Sequence, residues 1–194
     1  MKSTLIHVPA SSSIRRKAGF TLIELLTVIA IIVMLAAITL GILNMAQKKG
    51  AKATTEAQME LLKTGLERYE KEYAEYPEPI DNTGEGSGGA EALYQALAGD
   101  GTDAFVTGSE SPSASTGELG SSGEIFLPEL DPKNPKHGMV NGQYQVVDPF
   151  GQRWRYRKYL KEDETDKTNN RTYDLWSTFD DPDKDNEARW IKNW

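Results

Sequence analysis

From Leu25 through Gln47 the chain carries no charged residue. The most apolar part, Leu25 to Leu43, would span about 28 Å as a helix at ~1.5 Å per residue. That matches a bilayer hydrocarbon core of about 30 Å. A buried soluble helix rarely stays apolar on every side for so long. A secretory signal peptide is the other reading, but its apolar core is shorter and free of acids. Here Glu24 stands four residues after Phe20, at the entrance of the run. Beyond Asn44 the pattern becomes one-sided. Met59, Leu62, Leu66, Tyr69, Tyr73 and Tyr76 recur at spacings of three and four, one apolar stripe on a helix. Glu60, Lys63, Glu67, Lys71 and Glu75 fall on the other face, and Lys63–Glu67 and Lys71–Glu75 are i,i+4 pairs. Pro77 marks the helix exit. Residues 20–76 are therefore predicted as one helix, apolar all round over 20–45 and amphipathic over 46–77.

The remainder, 78–194, reads as a globular head. "GGAEALYQALAGDG" (88–101) predicts a short helix with Leu93 and Leu97 on one side and Gly99 as its stop. Residues 107–123 are rich in Ser, Gly and Thr and predict a flexible surface loop. Three stretches then favour strands: Gln143–Phe150, Arg153–Leu160 and Thr172–Thr178, with "DPFGQ" turning between the first two. Trp154 and Tyr156 alternate with Arg153, Arg155 and Arg157, the period-two mark of a sheet with one covered face. "KEDETDKTNNR" (161–171) reads as a solvated hairpin tip. The expected class is α+β: a long N-terminal helix, half transmembrane and half amphipathic, packed against a small antiparallel β-sheet.

Charge sharpens this picture. The 194 residues carry a net charge of -7, and residues 1–19 contribute four basic groups and no acid, so the remainder stands at -11. A basic leader, an apolar run and an acidic body describe a membrane-tethered protein with its body outside the cytoplasm, although Lys48, Lys49 and Lys52 flank the far end of the run. An acidic body argues against nucleic acid, whose phosphates need a basic face. There is no cysteine, which removes disulfides, thiolate metal sites and cysteine nucleophiles, and only two histidines. No GxSxG, HExxH or phosphate loop occurs, so an enzyme is not expected.

Glu24 needs a positive partner if it is to enter a membrane cheaply. The nearest would be a new α-amino group at Phe20, if the chain were cut before it. "RRKAG" followed by "FTLIELL" resembles the type III signal of type IV pilins and type II secretion pseudopilins. The resemblance implies a leader over 1–19, cleavage by a prepilin peptidase after Gly19, N-methylation of Phe20, and Glu24 guiding docking into a filament. Gly41 stands where many members carry a helix-breaking proline. The order "DPFG…RYR…YDLWS" is similar to the head of the major pseudopilin of type II secretion. Residues 102–125 have no counterpart and look like an insertion.

The implied function is a structural subunit of a type II secretion pseudopilus. It would be a homo-oligomeric helical filament, working with an inner-membrane assembly platform and minor pseudopilins, anchored by a single pass in the bacterial inner membrane with its head in the periplasm or outside the cell. A type IV pilus pilin and a signal-anchored envelope binding module are the alternatives. The C-terminal "STFDDPDKDNEARWIKNW" places Asp181, Asp183 and Asp185 at every second residue, a hard-oxygen pattern that suits calcium. It is not an EF-hand, since Asn186 and Lys192 occupy that motif's glycine and glutamate positions. Similar pseudopilins hold a structural calcium in this loop, so Asp181, Asp183 and Asp185 are the expected ligands. Trp190, Ile191 and Trp194 read as anchors returning to the core.

Overall fold

The computed structural model describes residues 19–80, 88–108, 111–134, 137–160, 168–179, 181 and 186–194; at 40–44 and 104–105 only the backbone is described. The chain divides into two units, Met1–Met45 and Ala46–Trp194. Helix α1, Leu22–Tyr73, runs through the boundary and stays helical past Gly41 and Gly50.

In the first unit, Leu22–Thr39 is long and apolar enough to cross a membrane, with a mean hydropathy of 2.7. None of that stretch is buried, and large apolar side chains such as Leu22, Ile23 and Met34 are more than half exposed.

In the second unit the predicted stripe is the buried one. Met59, Leu62, Leu66 and Tyr69 are buried, and Tyr73 and Tyr76 pack half-buried against the same core. The helix ends three residues before Tyr76, because Ala74 turns to φ 60°, a left-handed cap that donates to the Glu70 carbonyl. Lys63 pairs with Glu60 at 2.9 Å rather than with Glu67, an exposed contact of little energetic weight.

Helix α2, Gly89–Ala98, is buried over nearly its whole length. It meets strand β1 at Gly89, where a Cβ would stand 2.6 Å from the Tyr156 backbone. It meets α1 at Gly65, where a Cβ would lie 3.2 Å from Leu97. Gly99 ends α2 in the left-handed conformation at φ 64°, as its sequence predicts. A single turn of helix, α3, follows at Ala104–Thr107.

The sheet is three-stranded and antiparallel, in the order β1 (Arg155–Lys158), β2 (Tyr173–Ser177), β3 (Ile191–Lys192). The number of strands and their direction are as expected, but the third strand is not Gln143–Phe150. Side chains take part of that segment's backbone donors, and Val146 donates to the Ala90 carbonyl of α2 instead of to a strand. Asn141 Oδ1 takes the N–H of Gln143 and Gln145, and Asp148 Oδ1 takes those of Phe150 and Gln152. Such local bonds compete with a ladder, and Tyr144 breaks the extended run at φ 54°. Only isolated bridges remain, Val140 to Val146 and Val147 to Arg153.

The C-terminal segment takes the vacant edge. Ile191 lies opposite Ser177, on the face that carries Tyr156 and Leu175 into the core. Asn193 prolongs the ladder with its side chain, accepting the Leu175 N–H at 2.9 Å and donating to the Tyr173 carbonyl. On the opposite face Trp176 is covered by the returning tail, with Trp190 stacked at 6.4 Å and Trp194 edge-on at 5.6 Å. Arg157 lies over Trp176 at 5.0 Å and pairs with buried Asp174. Both faces of the sheet are therefore covered, rather than one. The sheet is tied back to α1 and its exit by Tyr156, whose hydroxyl donates to the Pro77 carbonyl, and by Lys158, which bridges Glu75 and Glu78.

The described part of 107–123 forms a loop organised by one fully buried carboxylate, Asp100. Its Oδ1 accepts from the Thr116 N–H, the Thr116 hydroxyl and the Ser121 hydroxyl. Its Oδ2 accepts from the Tyr94 hydroxyl and the N–H groups of Gly117 and Glu118. Burial pushes this carboxyl up, but the Thr116, Tyr94 and Gly117 donors outweigh it and bring it down to about 2. Asp148 has the opposite balance. Burial raises it, and the bonds from Ser177, Gln152 and Phe150 do not fully offset that.

These two environments predict different responses to the same substitution. Asp100→Asn puts an NH2 among converging donors and should cost roughly 2–4 kcal/mol in urea unfolding of the full chain in detergent. Asp148→Asn keeps an acceptor for Phe150 and Gln152 and should change stability by less than about 1 kcal/mol. Because the folded carboxyl of Asp100 is depressed, its contribution is complete above the unfolded value of about 4 and is lost as pH falls towards about 2. The Asp100→Asn difference should shrink over that window; a constant difference down to its lower end would contradict this account.

Candidate functional site at the start of the apolar helix

Gly19 and Phe20 precede α1 as non-helical residues, and Phe20 is 83% exposed. Thr21 is the cap. Its carbonyl accepts the Leu25 N–H, and its hydroxyl accepts the Glu24 N–H at 3.3 Å. Glu24 returns the interaction, since its Oε2 accepts the Thr21 N–H at 2.8 Å and the Thr21 hydroxyl at 2.9 Å. This is a capping box, in which cap and third residue satisfy each other's orphan donors. A carboxylate in the first turn also meets the positive end of the helix dipole. Glu24 Oε1 accepts no hydrogen bond among the described residues.

Glu24 thus has a local partner that the reading of its charge alone overlooked. The signal was in the sequence: Thr-x-x-Glu before an apolar run is a capping signature.

Gly19 is informative for the opposite reason. A Cβ placed on it meets nothing within 4 Å, and its φ is not in the left-handed region. Nothing among the described residues demands glycine here. Arg15, Arg16 and Lys17 lie outside the described residues.

The second expected site is only partly described. Asp181 is buried, and its Oδ2 accepts the Asn186 N–H at 2.9 Å and the Trp190 indole N–H at 3.3 Å. These bonds draw the neck of the acidic loop together. Asp183 and Asp185 lie outside the described residues, and among the described residues no three acidic or histidine side chains converge as metal ligands.

Residues 14–40 match the family described as the prokaryotic N-terminal methylation motif. Comparison with curated proteins and with solved structures gives no match. The matched motif belongs to a pilin-like structural family, not to an enzyme family. It contains Gly19, Phe20, Thr21 and Glu24 and overlaps the apolar span Leu22–Thr39. Motif, span and α+β fold together support a membrane-anchored, type IV pilin-like protein that is processed by a prepilin peptidase.

Proposed function

We propose that this chain is a structural subunit of a type II secretion pseudopilus. It is cleaved after Gly19, methylated at the Phe20 amine, and assembled into a helical filament that supports protein export. Its apolar helix would be held in the bacterial inner membrane, with the head in the periplasm or outside the cell, among an assembly platform and minor pseudopilins. The observation that carries the reading is the environment of Gly19 within the methylation motif. Among the described residues neither sterics nor backbone geometry asks for glycine there, which suits a glycine that is read by a partner, as the methylation motif implies. The exposed apolar surface of 22–39 adds support, because a patch of this extent needs membrane or protein cover. A filament follows when one heterologous contact repeats without closing. The likeness of the "DPFG…RYR…YDLWS" order to the major pseudopilin favours a pseudopilus over a type IV pilus.

The calcium expectation is carried within this proposal. Asp181 fits a hard cation as a buried carboxylate at the loop's neck. Asp183 and Asp185 would complete the ligand set, and the ion would close a loop in a chain without disulfides.

Three experiments test the proposal. Co-expression with a prepilin peptidase should remove the first 19 residues, and Gly19→Ala should leave the chain uncut; equal processing of both would defeat the reading. For Glu24, glutamine retains an acceptor for the capping box but not the charge. Glu24→Gln and Glu24→Ala should both insert into membranes and both fail to assemble. A Glu24→Gln chain that forms filaments normally would reduce Glu24 to a helix cap. Millimolar calcium should raise the melting temperature of the full chain in detergent, and Asp181→Asn should abolish the rise. An identical melt in calcium and in chelator would remove calcium from the proposal.

A further inference from the structure

A groove of about 400 Å³ opens among three loop segments of the second unit. Thr116, Gly117 and Glu118 form one wall, Lys133 stands on the rim, and Val140 and Tyr144 form the other side. Its size falls within the range of about 300–1,000 Å³ typical of small-molecule sites.

Both walls are held from behind by the same buried group. Asp100 takes the N–H groups of Thr116, Gly117 and Glu118, turning that stretch of backbone inward. Tyr94 donates its hydroxyl to Asp100 at 2.7 Å and stacks its ring on Tyr144 at 5.8 Å. Tyr144 itself is held at φ 54°, a costly conformation for a bulky residue and one found where function needs a side chain placed. Its ring lies against Gly117 so closely that a Cβ there would stand 2.7 Å from its hydroxyl oxygen.

What can meet a ligand follows by subtraction. The wall's backbone N–H groups are engaged by Asp100, so an extended peptide finds no ladder to join. The Asn141 side chain is committed to Gln143 and Gln145. The Tyr144 hydroxyl makes no hydrogen bond among the described residues. Lys133 and Glu118 face each other at 3.5 Å, both 68% exposed. One ammonium beside one carboxylate gives the groove no net preference for an anion or a cation. A neutral ring with a C–H face and a hydroxyl rim uses all of these groups. Its polarised C–H bonds pack on the electron-rich face of an aromatic ring. Its hydroxyls can accept from Lys133 and Tyr144 and donate to Glu118, and bonds to charged groups are the stronger kind.

We propose that this groove binds a neutral saccharide, with Tyr144 as the ring it packs on and Lys133 and Glu118 as the pair that grips its hydroxyls. The site does not depend on cleavage or assembly, so its test uses the uncleaved full-length chain. The chain is held in a zwitterionic detergent, which has no sugar headgroup to compete. Saturation-transfer NMR with millimolar maltotetraose, cellotetraose and chitotetraose should show saturable binding of at least one. Glu118→Gln and Lys133→Met, both at exposed positions, should each weaken it about fivefold or more. Tyr144→Phe keeps the ring and should weaken it less. Silence from all three sugars would overturn the proposal. So would sugar binding untouched by the Glu118 and Lys133 variants, or a tetrapeptide occupying the groove in their place.

Discussion

The arrangement of residues 46–194 depends on how closely helix α2 approaches its neighbours. Glycine at 89 lets it touch the β1 backbone, and glycine at 65 lets it nest against α1. Leu93 and Leu97 are fully buried as a result. The end of α2 then carries the consequence outward. Its last carbonyls need donors once they are buried. Leu97 receives Phe126 and Leu127, Ala98 receives Gly120, and Gly99 receives Ser122 and Gly123. The Ser- and Gly-rich segment thus caps a helix, and Asp100, one residue past the left-handed Gly99, draws in the rest of it. The groove is a product of that cap.

The periodic features were legible because burial is what periodicity reports. The α1 stripe, the Gly99 stop and the cores of two strands all lie where apolar spacing puts them. The third strand was not legible. Gln143–Phe150 has strand composition, but the Asn141 and Asp148 side chains divert several of its donors and α2 takes that of Val146, and no hydrophobic count records that. The true edge strand spans only Ile191–Lys192, too short for alternation to show. It is fixed by Asn193 and by tryptophans whose partner, Trp176, is remote in sequence. At the N-terminal site the motif residues were legible from order alone. Thr21 was equally readable as the first residue of Thr-x-x-Glu. The organisation of the described part of 107–123 was invisible, because serine, glycine and threonine serve an ordered cage and a free linker equally well.

The first unit obeys a different constraint. Its helix satisfies its own backbone, which is what a segment in lipid requires, while the apolar side chains of Leu22–Thr39 stay unburied. Its charged chemistry among the described residues sits in the first turn. There a capping box holds Glu24 on one carboxylate oxygen and leaves the other facing outward. Capping and pairing with a cation are therefore compatible in one residue. Retaining a carboxylate at the entrance of an apolar run is less costly when Thr21 already supplies two donors.

The absence of cysteine gives the buried carboxylates a common meaning. Asp100 joins the end of α2 to residues up to 21 positions away, and Asp148 joins its turn to Ser177 across 29. Asp174 gathers Arg157, Asn169 and Asn170, and Asp181 closes the tail loop on Asn186 and Trp190. Each ties together segments that are apart in sequence, in a chain that has no disulfide to do so. A disulfide acts mainly by restricting the unfolded chain. A buried carboxylate acts on the folded state, and only while its donors converge on it. Such links are indifferent to redox conditions, and for two of them the response to pH is unequal. Asp100, with three donors on each oxygen, is held in its charged form, whereas burial raises the carboxyl of Asp148. As pH falls, Asp148 takes up a proton first, and the bonds that converge on Asp100 are lost only towards about 2.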